Sequence, residues 1–203
     1  RTMPDPHSVP WDGFELPARI LLALFVHRVV GLEPGLYVLM RDRSRVNAFR
    51  EACRADFDWS PVADEGLPLF ALQLSDFRDT AGYVSCMQEI ASDGAFSLGM
   101  VADFQRTLND EGPWAYRRLF WESGLIGQVL YLEAEMARVQ ATGIGCYFDD
   151  LLHACLGLDP DDDHWQSLYH FTVGGAVVDN RLATLPAYDH LPPHRRSQAR
   201  VGQ

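Results

Sequence analysis

The chain contains no lysine, and all seventeen basic residues are arginine. Schiff-base formation and lysine acid chemistry are therefore excluded, since no other side chain carries a primary amine on a flexible stem. Positive charge is short as well. Twenty-eight acidic residues against seventeen basic ones leave a net charge of −11. A surface of that sign repels phosphate backbones, so nucleic acid is not an expected partner. Long apolar runs are missing too. The longest strictly apolar run near the start, Ile20–Val26, spans seven residues, against the roughly 20 that a membrane-crossing helix needs. No membrane association is expected, and no signal peptide is visible. The chain opens on Arg1 instead of methionine, so a processed product or part of a longer polypeptide is expected. Cysteine is sparse: Cys53, Cys86, Cys146 and Cys155 form no Cys-x-x-Cys pair. They read as reduced thiols of a cytoplasmic protein. Neither a Gly-x-Ser-x-Gly elbow nor a Walker loop occurs.

What is present suits one folded domain. The length of 203 residues with 47% hydrophobic and 22% charged content is that of a globular protein. The stretch Trp114–Asp150 organises the rest. To about Val139 it is free of proline, and Leu119, Phe120, Ser123, Gly127, Leu130, Tyr131 and Ala134 recur at three- and four-residue spacing. That pattern predicts one long helix with a buried stripe, roughly 37 Å long if it runs about 25 residues. Gly124 and Gly127 lie on or beside the stripe and would each cost a helix interior about 1 kcal/mol relative to alanine. Close approach of a second helix, backbone to backbone, would offset that cost. Straight after the helix comes Thr142-Gly143-Ile144-Gly145-Cys146. Two glycines around one isoleucine read either as an ordinary loop or as a turn that presents backbone amides to something flat or anionic.

The remaining elements follow in order. Residues 1–18, with four prolines, form an irregular lead-in. Strands are expected over Arg19–Val29, Leu36–Arg41, Leu69–Leu74, Ala95–Phe104 and Ser167–Val173, the first two as a hairpin. Helices are expected from Val46 to Phe57, from Ser75 to about Ala91 and over Asp150–Leu156, the last closed by Gly157. Residues 19–188 form the domain, and residues 189–203 an extended tail. The sum is an α+β fold, a mainly antiparallel five-stranded sheet flanked by helices. Gly99 marks a point of close approach on its strand.

Most charged clusters read as surface. Asp159, Asp161 and Asp163 imitate the start of a calcium loop, but His164 and His170 stand where glycine and glutamate belong. His153 and Cys155 point to different sides of a helix, which rules against zinc. Arg181, beside Asp179 and Asn180, reads equally as a phosphate-holding fork or as a surface arginine.

Five segments in one order give a more specific reading: Phe25–Leu39, Ser85–Met100, Tyr116–Glu135, Thr142–Leu158 and Ser167–Pro186. Together the chain resembles the FMN-dependent nitroreductase superfamily, and within it the SagB/ThcOx-type dehydrogenase branch. The resemblance implies a dimer, homodimeric or a pseudo-dimer with a second nitroreductase-like domain, formed along the long central helices. FMN would lie between the two units. It implies that Gly143, Ile144, Gly145, Cys146 and Tyr147 lie against the isoalloxazine and aim a backbone N–H at N5. It places Ser85 and Gln88 near the pyrimidine end, where an amide side chain both donates and accepts, and Arg181 near the phosphate. The implied activity is an FMN-dependent oxidoreductase passing hydride through N5 by a ping-pong cycle, with NAD(P)H or an organic substrate as donor. The alternative is a catalytically inactive nitroreductase-like scaffold in a biosynthetic complex. The family's opening arginine motif is not matched by Arg1-Thr2, where the sequence starts, and the lysine–tyrosine pair of azoline-oxidising members has no counterpart in a chain without lysine.

Overall fold

The structure is a computed structural model describing residues 3, 9–13, 17–62, 66–177, 179–183, 185–186 and 188–192. The expectations for most of the lead-in and for the tail beyond residue 192 lie outside the described residues. Seven strands form one sheet in the order β3-β4-β2-β1-β5-β7-β6. They are β1 (Ile20–Val26), β2 (Gly35–Leu39), β3 (Ser60–Pro61), β4 (Leu69–Leu74), β5 (Phe96–Asp103), β6 (Gln140–Ile144) and β7 (Trp165–Gly174). Every neighbouring pair is antiparallel. The α+β class is as expected, but the strand count is seven and not five. The two extra strands are edge strands without an apolar signature: β3 is a two-residue Ser-Pro pairing, and β6 is polar and contains Gly143.

Among the described residues six α-helices accompany the sheet: α1 (Val46–Ala52), α2 (Arg78–Val84), α3 (Glu89–Asp93), α4 (Phe104–Glu111), α5 (Tyr116–Met136) and α6 (Asp149–Leu156). Asp42 starts the first through a short 3-10 turn, accepting from the Ser44 N–H at 2.9 Å. The single helix expected from Ser75 to Ala91 is instead α2 and α3, broken at Ser85–Gln88, where Cys86 and Met87 both have φ of +57°. α6 ends as expected at Gly157, left-handed at φ +77°.

Strand β1 is buried on both sides, and its residues alternate between two cores, as a period of two requires. Ile20 and Leu22 pack with Leu98, Met100, Phe171 and, from α5, Leu119 and Ile126. Leu21 and Phe25 pack with Val38, Leu72, Phe49 and, from α2 and α6, Val84, Leu152 and Leu156. Each such Leu or Phe contributes roughly 1.5–3 kcal/mol on burial.

The long helix is present with 21 residues, and its buried line is Leu119, Glu122, Ser123, Ile126, Gly127, Val129 and Ala134. Phe120 and Tyr131, expected inside, are each 40% exposed at the margins of that line. The expected line missed Glu122 because no hydrophobic pattern anticipates a buried carboxylate. Glu122 forms an ion pair with buried Arg41 and accepts from the backbone N–H groups of Arg19 (3.1 Å) and Ile20 (3.4 Å). It thus satisfies the donors that open β1, while Arg41 donates to the Ile20 carbonyl at 3.1 Å. Gly127 also differs from expectation. A Cβ there would meet the Phe171 ring at 3.5 Å, so this glycine faces the protein's own sheet and not a partner helix. Gly124, one turn earlier, is exposed with open space above it.

Candidate functional site

The predicted site residues other than Arg181 converge on the end of β6 and the turn between α2 and α3, but their surroundings differ from the simple glycine loop expected. Gly143 and Ile144 belong to β6, paired with Phe171 and His170 of β7. Ile144 is 3% exposed, and its side chain packs inward. The loop proper is Gly145–Phe148. Because β6 is an edge strand, alternate N–H groups point away from β7. The Gly143 N–H does so and donates to the Tyr131 hydroxyl at 2.8 Å. Gly145 follows β6 directly, and its absent side chain leaves open space. At Gly143, by contrast, a Cβ would overlap the Tyr169 hydroxyl. Gly145 is free for a ligand, and Gly143 is a packing position.

The loop is tied down on its other side. Cys146 is joined to Cys86 by a disulfide spanning 60 residues of sequence. This corrects the reading of four reduced thiols and removes the cysteine pattern as an argument for a reducing compartment. Spacing in sequence hid the pair, which the fold alone brings together. Only Cys53 and Cys155 are free, and burial pushes their thiols up to about 12 and about 11. Three hydrogen bonds reinforce the tie. The Phe148 N–H donates to the Val84 carbonyl at 2.8 Å. Gln88 Nε2 donates to the carbonyls of Ser85 (2.7 Å) and Cys146 (3.0 Å). Both amide hydrogens of Gln88 are thereby used inside the protein. Contrary to the expectation that it would donate and accept, it offers only its oxygen outward.

Beneath the loop a chain of polar groups joins Ser85 and Tyr147 to His170, Ser167 and His153, three residues the sequence reading did not assign to the site. The Tyr147 ring stacks on His170, with centroids 4.3 Å apart and planes 10° apart. His170 Nδ1 lies 3.4 Å from Ser85 Oγ and its Nε2 lies 3.2 Å from Ser167 Oγ. The Ser167 N–H in turn donates to His153 Nε2 at 3.0 Å. Ser85 is 2% exposed, so it supports His170 from inside and does not touch a surface ligand. Burial lowers the His170 pKa to about 4, against a weaker upward pull from Asp149, and burial likewise lowers that of His153. Both imidazoles are neutral near pH 7. The only available signal for this chain was the histidine inside the apolar strand Ser167–Val173. Gly99 makes room for it: a Cβ there would overlap Leu152 and lie 3.2 Å from His170 Nε2.

Arg181 is not brought to this cluster. It is exposed and forms a close pair with Asp179, at 2.6 Å. A separate cavity of ≈ 470 Å³ opens at the far end of β6, bounded by Glu89, Asp93, Thr142, Thr172 and Gly174. Its two carboxylates oppose a phosphate. Among the described residues no group of three or more metal-ligating side chains occurs. No helix among them is long and apolar enough to cross a membrane.

Comparison with solved structures places this architecture. The chain is similar to a protein from Anabaena variabilis named as a nitroreductase, with TM-score 0.58 and 24% identity over 77% of this chain and 27% of that one. It is similar to a chain of the E. coli microcin synthetase McbBCD complex with truncated pro-MccB17 bound, with TM-score 0.55 and 17% identity over 87% and 59%. A protein from Ralstonia eutropha named as a nitroreductase gives TM-score 0.52 and 16% identity over 80% and 60%. The chain therefore spans less than two thirds of the length of each of these three. No family model matches it, and no curated protein matches it. The fold is nitroreductase-like, as the sequence resemblance implied.

Proposed function

We propose that this chain is the flavin-binding unit of an FMN-dependent oxidoreductase of the nitroreductase type, on the SagB/ThcOx side of that superfamily. The observation that carries the reading is the open space at Gly145, directly after edge strand β6, which leaves room for a flat ring against its backbone. A fixed N–H aimed at N5 needs no acid side chain, because a preorganised dipole stabilises the charge that develops there. FMN, when bound, supplies two-electron hydride chemistry at N5. The chain's own residues hold and shield the ring. Tyr147, backed by His170, forms a flat floor beside the loop, and the Gln88 oxygen is positioned to accept from the pyrimidine edge. Met87 and Phe148, 69% and 39% exposed, are apolar groups suited to excluding water. NAD(P)H or an organic substrate is the expected electron donor, in a ping-pong cycle.

The second unit of the seam docks on α5, as a homodimer or as a pseudo-dimer with another nitroreductase-like domain. Trp121, Gly124, Gln128 and Leu132 follow one another along its outer side at helical spacing. Trp121 is 49% exposed and Leu132 57%, and a shallow hollow lies over Gly124. The C-terminal segment with Arg181 is proposed to grip the phosphate only across that seam, since within this chain Arg181 is held by Asp179.

A second reading, a nitroreductase-like scaffold without catalytic activity, is favoured by one specific feature. Among the described residues no arginine is hydrogen-bonded into the loop cluster, so the ring end of the site is better furnished than the phosphate end. Titration with FMN, followed by flavin fluorescence quenching, separates the two. The enzyme reading expects saturable uptake and a yellow protein. It also expects Gly145→Val to lose at least tenfold in affinity with unchanged melting, since its side chain enters open space. Absence of uptake by the wild-type chain would leave the scaffold reading, and equal uptake by wild type and variant would show the ring lies elsewhere.

A further inference from the structure

We propose that the Cys86–Cys146 disulfide is a thiol-exchange site whose opening and closing latches the Gly145–Phe148 loop. Its effect on flavin affinity rests on the function proposed above; the latch itself does not. The bond joins the two segments that carry the site, the turn between α2 and α3 and the loop between β6 and α6. Neither cysteine lies in a helix or strand, and Cys86 and Met87 hold left-handed backbone that side chains rarely adopt. A covalent tie that keeps an unfavourable turn against a loop stabilises one arrangement among several.

The two sulfurs are not equivalent. Cys146 is exposed and Cys86 half-buried, so an external thiolate reaches the Cys146 sulfur. A low-molecular-weight thiol such as glutathione then forms a mixed disulfide on Cys146, and Cys86 leaves as the thiolate. A second thiol attacks the mixed disulfide, releasing oxidised glutathione and leaving two protein thiols. Two external thiols are oxidised and one protein disulfide is reduced, so electrons balance. The other two cysteines take no part: Cys53 is buried, and burial holds both thiols far from the thiolate form.

Opening the bond does not release the loop altogether. The Phe148–Val84 backbone bond and the Gln88–Cys146 bond remain. They keep the sulfurs close enough to rejoin, which is what distinguishes a reversible latch from a purely structural staple. In the closed state the Gly145 amide is preorganised, and in the open state a ligand must order the loop on binding, which costs affinity.

The test uses the purified chain without added flavin. Iodoacetamide under denaturing, non-reducing conditions should label two of the four cysteines, and labelling of all four would overturn the proposal. The native protein is then equilibrated in glutathione buffers of graded ratio. The expected result is reversible reduction with retained cooperative melting, faster amide hydrogen exchange confined to residues 84–88 and 145–148, and FMN affinity lower by about tenfold or more. Cys86→Ser should reproduce the reduced state, while Cys53→Ser should leave the exchange pattern unchanged. If Cys86→Ser fails to fold, the reduced wild type still decides the matter. A disulfide that resists native reduction, or one whose reduction leaves loop exchange unaltered, would overturn the latch. If neither form takes up FMN, the flavin reading falls while the hydrogen-exchange comparison still judges the latch.

Discussion

The two faces of the sheet are built on opposite principles. Under α5 the packing is apolar, and a buried charge pair, Arg41 with Glu122, sits at the mouth of β1 and fastens strand to helix. Under α2 and α6 the packing is interrupted by a string of neutral polar groups, Ser85, His170, Ser167 and His153, that leads to the loop at Gly145. The first face fixes the frame, and the second carries the candidate chemistry. Rigidity is concentrated away from the site, and at the site it is supplied by the cross-link and a few hydrogen bonds.

The most severe way to break this contrast is at the charge pair. Glu122→Ala removes the carboxylate paired with buried Arg41 and frees the Arg19 and Ile20 amides. Removing one partner of such a pair costs about 3–5 kcal/mol, so chemical denaturation should show a loss of that size. A loss below about 1 kcal/mol would mean the pair does not fasten the frame.

The next effect belongs to the polar face and depends on pH. The His170 pKa falls from 6.5 to about 4 on folding. The unfolded chain therefore binds the proton more readily, and stability is complete above pH 6.5 and declines as pH falls toward about 4. The full decline due to this residue is on the order of 3 kcal/mol, with His153 adding in the same direction. Denaturation midpoints for wild type and His170→Asn, measured across that range, should converge in acid. Parallel curves would show that His170 is not the titrating group.

A smaller effect sharpens the contrast at α5. Gly127→Leu pushes into Phe171 of the protein's own sheet, and overpacking costs typically 1–3 kcal/mol. The expected outcome in size-exclusion chromatography is an unchanged oligomeric state with a lower melting temperature. Disruption of an assembly without loss of melting temperature would return Gly127 to the partner interface.

The long helix could be anticipated because proline is absent and apolar residues recur at helical spacing from Leu119 to Ala134. The hairpin of β1 and β2 and the stop at Gly157 were equally readable, since turn chemistry and alternation are local. The nitroreductase-like fold was legible in the order of five segments. Other features were out of reach because they depend on contacts between residues far apart in the chain. Strand β6 is a strand only because β7 lies beside it, and Gln140–Ile144 carries no alternation of its own. The disulfide pairs residues 60 apart, and nothing near Cys86 or Cys146 announces the partner. Glu122 reads as a surface residue until Arg41 and the opening of β1 arrive beside it. Short-range periodicity thus determined the elements and their order. Tertiary structure decided which glycine is free, which cysteines meet and which polar groups are buried, because each of these is set by neighbours that local sequence does not specify.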